Sequence, residues 1–506
     1  MKRPSPIADA ANDSVWTDTK LPGARRLNSD LAVDVCVVGG GIAGITTAYL
    51  LAKVGQQVVL LDDGPLAGGM THVTTAHLSN VIDDRFVNME RWHGVEKTRL
   101  AAKSHAAAID FIEQVSSELG IESDFERLDG YLFRGPDDTD ETLEHEFEAA
   151  QRAGVDVEWA ERALLSGNES GRCLRFPNQA RFHPFKYLDG LVKAYKELGG
   201  KVFTNSHAES VQGGDDATVS VNGHSVKAKS IVVATNSPIN DMVAIHTKQA
   251  PYMTYVIAGR VPRGAVEDAL YWDTLDAYHY VRLQPLEDGD DLLIVGGEDH
   301  KSGQADDADE RHQRLIEWAR ERFPIGEIEY TWGGQCMETM DGLAFIGRNP
   351  LDKENVYIVT GDSGMGITHG TIAGMLLSDL ILERANPWAE LYDPSRKTVA
   401  AAGPFVKENL NVAKQYLDWV SPGEVSSVDE IEPGQGAVVR RGMTKIAACR
   451  DDRGKLIEVS AVCPHLGCIV HWNDAERSWD CPCHGSRFKA DGEVFNGPAN
   501  VNLTPM

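Results

Sequence analysis

The sequence lacks any apolar run that approaches the roughly 18 residues a helix needs to cross a bilayer, so no membrane span is expected. The N-terminal stretch carries Lys2 and Arg3 but no apolar segment after them, which excludes a secretory signal and predicts a cytoplasmic protein. Basic residues are also few: 49 Lys and Arg against 76 Asp and Glu give a net charge of −27. This charge repels phosphate backbones, so nucleic acid is not an expected partner.

Cysteine is scarce as well, with 8 in 506 residues, which excludes a disulfide scaffold. The cysteines are unevenly spread, because Cys449, Cys463, Cys468, Cys481 and Cys483 all lie near the C-terminal end. Hydrophobic residues at 42% and charged residues at 25% are ordinary for a globular chain. At roughly 150 residues per domain the length predicts about three domains. The group of cysteines indicates a functional site in the last of them.

Ordered structure is expected to begin after a polar, proline-containing arm over residues 1–30. The β-branched run 33–38, the turn Gly39-Gly40-Gly41-Ile42-Ala43-Gly44, a helical stretch to Lys53 and the apolar run 58–61 predict a strand–helix–strand unit. Helices are predicted near 91–120, 141–153 and 184–198, and a buried strand at 231–236. Antiparallel strands near 252–260, 278–283 and 292–295, with a helix at 309–322, predict a second, sheet-based layer.

The first glycine turn has the spacing G-x-G-x-x-G between a strand and a helix, and Asp62 follows Gly39 by 23 residues at the end of the next strand. In such turns the first glycine permits the tight bend, the second admits a pyrophosphate and the third lets helix and sheet pack closely. We expect Asp62 to accept hydrogen bonds from ribose hydroxyls. This fingerprint suits NAD and FAD equally.

A second glycine cluster, Gly361-Asp362-Ser363-Gly364-Met365-Gly366, follows a predicted strand and precedes a long helix that starts near Thr368. It directs peptide N–H groups and the positive end of a helix dipole at a buried group. The sequence has no second fingerprint of the first kind. These features favour a flavoprotein with one bound dinucleotide.

Residues of about 31–385 resemble the D-amino-acid oxidase and sarcosine oxidase superfamily of FAD-dependent oxidoreductases, because the first turn, the stretch 68–76, the helix near Pro184, the strand 231–236 and the second turn occur in that order. The resemblance implies an α/β (α+β) Rossmann-like FAD domain with an antiparallel-sheet substrate domain, and oxidation of a C–N bond by hydride transfer to flavin. It implies FAD contacts at Gly39, Gly41, Ile42, Ala43, Gly44, Asp62, Asp63, Thr71, Thr75, Ala76, Ala208, Gly361, Gly364, Met365, Gly366 and Thr368.

Three residues are candidates for the substrate wall. Tyr278, Tyr280 and Arg282 alternate onto one face of a predicted strand, and a tyrosine and an arginine above a flavin would suit a substrate carboxylate. The alternative is an exposed strand face without a ligand. Two histidines, His72 and His77, lie near the predicted flavin contacts, and the sequence leaves open whether either bonds covalently to the flavin or is only a polar neighbour.

The C-terminal cysteines form two motifs, Cys463-Pro464-His465 and Cys481-Pro482-Cys483-His484, with 15 residues between His465 and Cys481. Two cysteines and two histidines in this alternation suit a Rieske [2Fe–2S] centre, with Cys463, His465, Cys481 and His484 as ligands. A zinc site is the alternative, although structural zinc sites usually pair Cys with Cys and His with His.

From about Val425 onwards the chain resembles the Rieske proteins of cytochrome bc complexes. The resemblance implies a small all-β domain and a disulfide between Cys468 and Cys483, with two free thiols as the alternative. Gly497-Pro498-Ala499 is similar to the proline loop that covers the cluster in that family.

The predicted organisation is therefore an arm over 1–30, an FAD-dependent oxidoreductase over 31–385, a connector over 386–423 and a Rieske domain over 424–506. Within 31–385, nucleotide-binding parts are expected near 31–90, 180–245 and 335–385, and substrate parts near 91–180 and 246–334.

A two-electron and a one-electron centre in one chain predict a dehydrogenase. A small amine or amino acid would reduce FAD, and electrons would pass singly to the cluster and on to an external acceptor. The alternatives are a reductase that takes hydride from NAD(P)H to feed an oxygenase, and a redox sensor or electron carrier without catalysis.

Overall fold

The computed structural model describes residues 14–136, 138–163, 165, 170–240, 245–305 and 307–506. Residues 1–13 of the predicted arm lie outside the described residues. The part of the arm that follows packs on the protein: the Trp16 side chain is fully buried, and its indole N–H donates to the Thr74 carbonyl at 2.6 Å.

Strands and helices alternate through the first part of the chain, and strands dominate its C-terminal end. The strands are β1 Leu31–Val38, β2 Val58–Leu61, β3 His77–Leu78, β4 Glu126–Phe133, β5 Glu158–Ala160, β6 Cys173–Arg181, β7 Lys201–Phe203, β8 Ala208–Gln212, β9 Thr218–Val221, β10 His224–Val233, β11 Gln249–Pro262, β12 Leu270–Asp273, β13 His279–Pro285, β14 Asp290–Lys301, β15 Ile328–Thr339, β16 Phe345–Arg348, β17 Val356–Thr360, β18 Gly436–Arg441, β19 Thr444–Arg450, β20 Leu456–Ser460, β21 His471–Asn473, β22 Ser478–Asp480, β23 Arg487–Lys489 and β24 Val494–Asn496. The helices are α1 Ile42–Lys53, α2 Phe86–His93, α3 Val95–Leu119, α4 Asp140–Ala153, α5 Pro184–Glu197, α6 Ala308–Arg322, α7 Gly366–Ile381, α8 Ala389–Tyr392 and α9 Ala402–Gln415. Short 3-10 helices cover His246–Lys248, Val399–Ala401, Tyr416–Trp419 and Val428–Glu430.

The first sheet has eight strands in the order β16-β17-β10-β1-β2-β7, with β8 and β9 attached beside β10. Strands β17, β10, β1, β2 and β7 run parallel. Their apolar runs are buried because helices α1, α5 and α7 pack on one face, and strands β8 and β9 with the segment around Leu27 cover the other. β1 and β17 lie on either side of β10, and each ends in one of the glycine turns, so both turns open on the same edge of the sheet.

The second sheet has nine strands in the order β15-β11-β14-β13-β12-β4-β6-β3, with β5 beside β6. The pairings are antiparallel except that of β12 with β4. The strands predicted near 252–260, 278–283 and 292–295 are β11, β13 and β14. The predicted fold class, an α/β domain with an antiparallel sheet, is confirmed.

The C-terminal part has a three-stranded sheet, β18-β19-β20, and a four-stranded sheet, β21-β22-β23-β24. This confirms the predicted small all-β unit. The stretch 386–423, which the sequence presents as a connector, contains α8, α9 and two of the 3-10 helices. None of the helices in the described residues is long and apolar enough to span a bilayer.

Candidate active site and metal centre

A cavity of about 1230 Å³ is lined by residues of both large sheets and of the C-terminal part. It brings together the predicted flavin contacts: all of them line it except Gly44, Ala76 and Thr368. Gly44 is packed against the first turn, where a Cβ atom would come within 1.8 Å of the Gly39 carbonyl oxygen. The Thr368 hydroxyl faces away from the cavity and contacts His105 Nδ1 at 2.8 Å.

The first glycine turn is shaped by close backbone contacts. Gly39 has φ +106°, and a Cβ atom there would lie 2.2 Å from the Ala234 carbonyl oxygen, so only glycine fits. The Asp62 carboxylate accepts the Gly40 N–H at 2.7 Å and the Gly64 N–H at 2.8 Å. Each carboxylate oxygen keeps a second lone pair, and Asp62 lines the cavity, so the residues present fit a bound ribose.

The second glycine turn also forms part of the cavity lining. It runs from β17 into α7, so the N-terminus of a 16-residue helix points at the cavity. The Asp362 carboxylate accepts the Met337 N–H at 3.1 Å and anchors the turn to β15. Helix N–H groups at this position fit the electron-rich end of a flavin ring.

The structure separates the three candidate residues of the substrate wall. Tyr278 and Tyr280 line the cavity, and the Tyr278 hydroxyl donates to Asp83 Oδ2 at 2.7 Å. Arg282 does not line it. The Arg282 guanidinium is fully buried and donates to the carbonyls of Ala76 at 2.8 Å and Phe182 at 3.1 Å. The side chains alternate along the strand as predicted, but the guanidinium N–H groups of Arg282 already donate to backbone carbonyls. The geometry therefore gives Arg282 a structural role.

Among the described residues, nine carboxylic acids that are not predicted flavin contacts line the cavity. Five of them are half-buried residues of the two large sheets and their loops: Asp83, Asp84, Asp299, Glu338 and Asp362. Burial raises the pKa of Asp83 and Asp362 to about 6 and that of Asp84 and Asp299 to about 7. Burial also raises the pKa of Glu338 well above its usual value. These acids come from four separate segments, so no spacing in the sequence could have grouped them.

The four predicted cluster ligands meet on two loops, defined here as the first ligand loop, Cys463–Cys468, and the second ligand loop, Cys481–Ser486. Cys463 and Cys481 are buried and hydrogen-bonded to each other. The imidazole rings of His465 and His484 lie 5.0 Å apart between centroids. Burial lowers the pKa of His484 to about 3, which keeps its imidazole in the neutral form that binds a metal. Two thiols and two imidazoles in this arrangement fit a Rieske centre.

The predicted disulfide is confirmed: Cys468 and Cys483 are bonded and join the two ligand loops. Their sulfur atoms lie within 4.8 Å of Cys481 Sγ. The alternative of two free thiols is therefore excluded, and the disulfide fixes the ligand loops beside each other.

The metal centre contacts the rest of the chain through residues the sequence analysis missed. The His246 ring centroid lies 4.9 Å from that of His465 and 5.9 Å from that of His484. Gln335 on β15 donates to the Gly485 carbonyl at 3.0 Å. On the connector, the Tyr416 hydroxyl donates to the Leu466 carbonyl at 2.9 Å. No motif marks these residues, because each acts through its position in the fold.

Comparison with known proteins gives two matches along the chain. Residues 34–380 match the model of the FAD dependent oxidoreductase family, and residues 421–506 match the Rieske [2Fe-2S] domain. The chain is 32% identical over 504 residues to the Rieske 2Fe-2S iron-sulfur protein YhfW of Bacillus subtilis (strain 168), with 97% of each chain covered.

Two further comparisons concern the larger part of the chain. It is 27% identical over 390 residues to gamma-glutamylputrescine oxidoreductase of Escherichia coli (strain K12), covering 72% of this chain and 88% of that protein. Glycine oxidase from Geobacillus kaustophilus has the same fold, with a TM-score of 0.59 at 16% identity, over 72% of this chain and 99% of that one. The chain belongs to the FAD-dependent oxidoreductase family and carries a Rieske [2Fe–2S] domain at its C-terminal end.

Proposed function

We propose that the protein oxidises the C–N bond of a cationic amine, with hydride transfer to FAD, and that the electrons pass singly through the Rieske cluster to an external acceptor. One observation carries the proposal: the cavity that holds both glycine turns is also lined by Arg487, Asn496 and Gly497 of the C-terminal part. The flavin cavity therefore shares a wall with the C-terminal part, which holds the four cluster ligands. The bound flavin supplies a two-electron acceptor, and the cluster supplies a one-electron carrier.

The charge of the cavity supports an amine over an amino acid. The five half-buried carboxylic acids line it, whereas Arg282, the candidate ligand for a substrate carboxylate, does not. Arg85 also lines the cavity, but its guanidinium donates to the Thr274 carbonyl. Arg487 lines the cavity but is engaged, with its Nε 3.0 Å from Asp480 Oδ1 and its Nη2 3.8 Å from Glu476 Oε2. A cationic amine would form charge-assisted hydrogen bonds with the ionised forms of these carboxylates. The name of the Escherichia coli relative, a gamma-glutamylputrescine oxidoreductase, supports the same class of substrate.

The residues of this chain bind and orient such a substrate. Tyr278 donates to Asp83, and the Tyr280 hydroxyl lies 2.9 Å from the Thr254 hydroxyl, so both rings are held against the cavity. Their apolar faces exclude water from the carbon that loses hydride. In the reaction the ammonium that is oxidised first gives its proton to an ionised carboxylate of the cavity; the adjacent carbon then gives up a hydride, and the nitrogen remains as an iminium, which water hydrolyses after release. Two electrons leave the substrate per turnover, and a cluster held by Cys463, His465, Cys481 and His484 would carry them one at a time.

Anaerobic mixing of the purified holoprotein with single compounds tests the proposal. Polyamines such as putrescine and spermidine should bleach the flavin absorbance, and the signal of a reduced Rieske cluster should then appear in electron paramagnetic resonance spectra. Amino acids of the same chain length serve as matched comparisons. Bleaching by NADH would instead support the reductase, and failure of every amine and amino acid to bleach the flavin would support the carrier.

A further inference from the structure

The second ligand loop packs unusually closely on the part of the chain that holds the flavin cavity. Gly485 in this loop has φ +84°, and a Cβ atom there would lie 2.7 Å from Pro251 Cβ and 3.0 Å from Gln335 Nε2. Only glycine fits such an approach. On the opposite side, a Cβ atom on Gly303 would lie 2.8 Å from the Asp480 carbonyl oxygen. The backbone of this loop is therefore in van der Waals contact with β11 and with the turn after β14.

Gln335 is the residue at the centre of this contact. Its amide nitrogen donates to the Gly485 carbonyl at 3.0 Å and to the Ser302 hydroxyl at 3.2 Å, and its amide oxygen accepts from the Asn496 side chain. Both donors and the acceptor of the amide are used, and the side chain is only 2% exposed. Such a fully bonded buried amide fixes the position of its partners.

The same residue also touches the flavin cavity. Gln335 lines the cavity, and its backbone N–H lies 3.4 Å from Met70 Sδ, next to the predicted flavin contact Thr71. Gly485 directly follows the predicted cluster ligand His484. Gln335 thus contacts both sides of the wall: its backbone N–H faces Met70, and its side-chain amide bonds to the second ligand loop.

We propose that Gln335 is a positioning residue that holds the second ligand loop, and with it His484, against the flavin cavity for electron transfer. The inference rests on the proposed function. In the step concerned, one electron leaves the reduced FAD and reduces one ferric ion of the cluster to ferrous. The external one-electron acceptor reoxidises that ion before the second electron follows. Without the amide the loop loses its hydrogen bond from Gln335 on β15, and its distance from the cavity is no longer fixed.

The test uses Gln335→Met in the full-length holoprotein, because methionine keeps the length of the side chain and removes its hydrogen bonds. The flavin is reduced by light in the presence of EDTA, which needs no substrate, and reduction of the cluster is followed by its paramagnetic signal. We expect transfer to the cluster to slow about tenfold, because the loss of one or two buried hydrogen bonds lowers the population of the loop position that permits transfer. Amide hydrogen exchange of residues 481–486 should rise, and photoreduction of the flavin should not change.

Gln304→Met is the matched control. Gln304 also reaches the second ligand loop, at 3.4 Å from the Pro482 carbonyl, but it is exposed and does not line the cavity. It should leave transfer and exchange unchanged. Asn496→Leu removes the hydrogen bond that the Gln335 amide oxygen accepts, so the amide is held less firmly, and this variant replaces the first if Gln335→Met does not fold.

The outcomes separate this inference from the proposed function. Unchanged transfer, or slower transfer without increased exchange in 481–486, overturns the positioning role of Gln335. If the unsubstituted protein passes no electrons from flavin to cluster, the proposed function fails. In that case amide hydrogen exchange of residues 481–486 still tests the inference. Equal exchange in Gln335→Met and Gln304→Met overturns the positioning role, and faster exchange in Gln335→Met supports it.

Discussion

At the scale of single residues, Arg282 holds together several parts of the chain that surround the cavity. Besides Ala76 and Phe182, its guanidinium donates to Gln284 Oε1 at 2.6 Å and lies 5.5 Å from the Trp16 ring. It therefore supports from behind the stretch that ends at Ala76, which the cavity needs in place.

We expect Arg282→Met to destabilise the protein rather than to weaken substrate binding. The substitution leaves several buried carbonyl oxygens without donors, so the free energy of unfolding should fall by about 3 kcal/mol or more. Denaturant unfolding of the holoprotein measures it, with Arg260→Met as the control. The Arg260 side chain is 41% exposed and makes surface ion pairs, which contribute little. An unchanged free energy of unfolding together with a raised KM for the substrate would mean that Arg282 binds the substrate.

The half-buried acids of the cavity should make the KM for the substrate depend on pH. Burial raises the pKa of Asp299 from 3.8 to about 7, so this carboxyl is largely protonated below that pH. A cationic amine binds the ionised form, so KM for a diamine should fall as the pH rises from 6 to 8. The unliganded protein should lose stability as the pH rises from about 4 to about 7, because over that range its folded form holds the proton that the unfolded form has already released; above pH 7 this dependence should level off.

The Asp299→Asn variant isolates that carboxyl. It should raise the KM for a diamine about tenfold at pH 8, the loss expected for one charge-assisted hydrogen bond. Asp288→Asn, an exposed position in the turn between β13 and β14, is the control. A KM that is independent of pH, or equal in the two variants, would argue against a cationic substrate.

At the scale of elements, the two ligand loops depend on each other because the Cys468–Cys483 disulfide joins them. Replacing both cysteines by alanine removes a constraint worth roughly 2–4 kcal/mol. The cluster should then be lost at a lower temperature, which its visible absorbance measures during heating. Cys449→Ala removes a buried free cysteine from the same core and should leave the loss temperature close to its original value. Equal loss temperatures would mean that packing alone holds the loops.

These elements also show what could be predicted from sequence. The motifs around Cys463 and Cys481, the two glycine turns and helices such as α5 and α6 follow from local spacing and periodicity, and the structure contains them. Helix α9 was not predicted, because the stretch 386–423 shows Ala and Pro without a clear apolar period. The contact of Gln335 with Gly485 joins residues 150 positions apart, and no local pattern encodes it.

At the scale of the whole molecule, the connector belongs to the contact between the two centres. The Lys301 ammonium pairs with Glu408 on α9, and Asn409 donates to the Thr247 carbonyl at 3.0 Å. Beyond α9, Trp419 donates to the Gly467 carbonyl at 2.9 Å. The connector therefore contacts both parts of the chain: the elements beside the cavity and the first ligand loop.

The shared wall raises the question of whether either cofactor needs the other in order to bind. We expect His484→Ala to abolish the Rieske signal and to leave the flavin absorbance intact, because both glycine turns and Asp62 belong to the first sheet and its loops. Flavin content and the paramagnetic spectrum of the purified variant measure this. His471→Ala provides the control, since His471 lies in β21 of the same part and pairs with Asp418 and Glu424 instead of the cluster. Loss of both cofactors in His484→Ala alone would show that the wall formed by Arg487 and Asn496 closes the flavin cavity only when the metal centre is occupied.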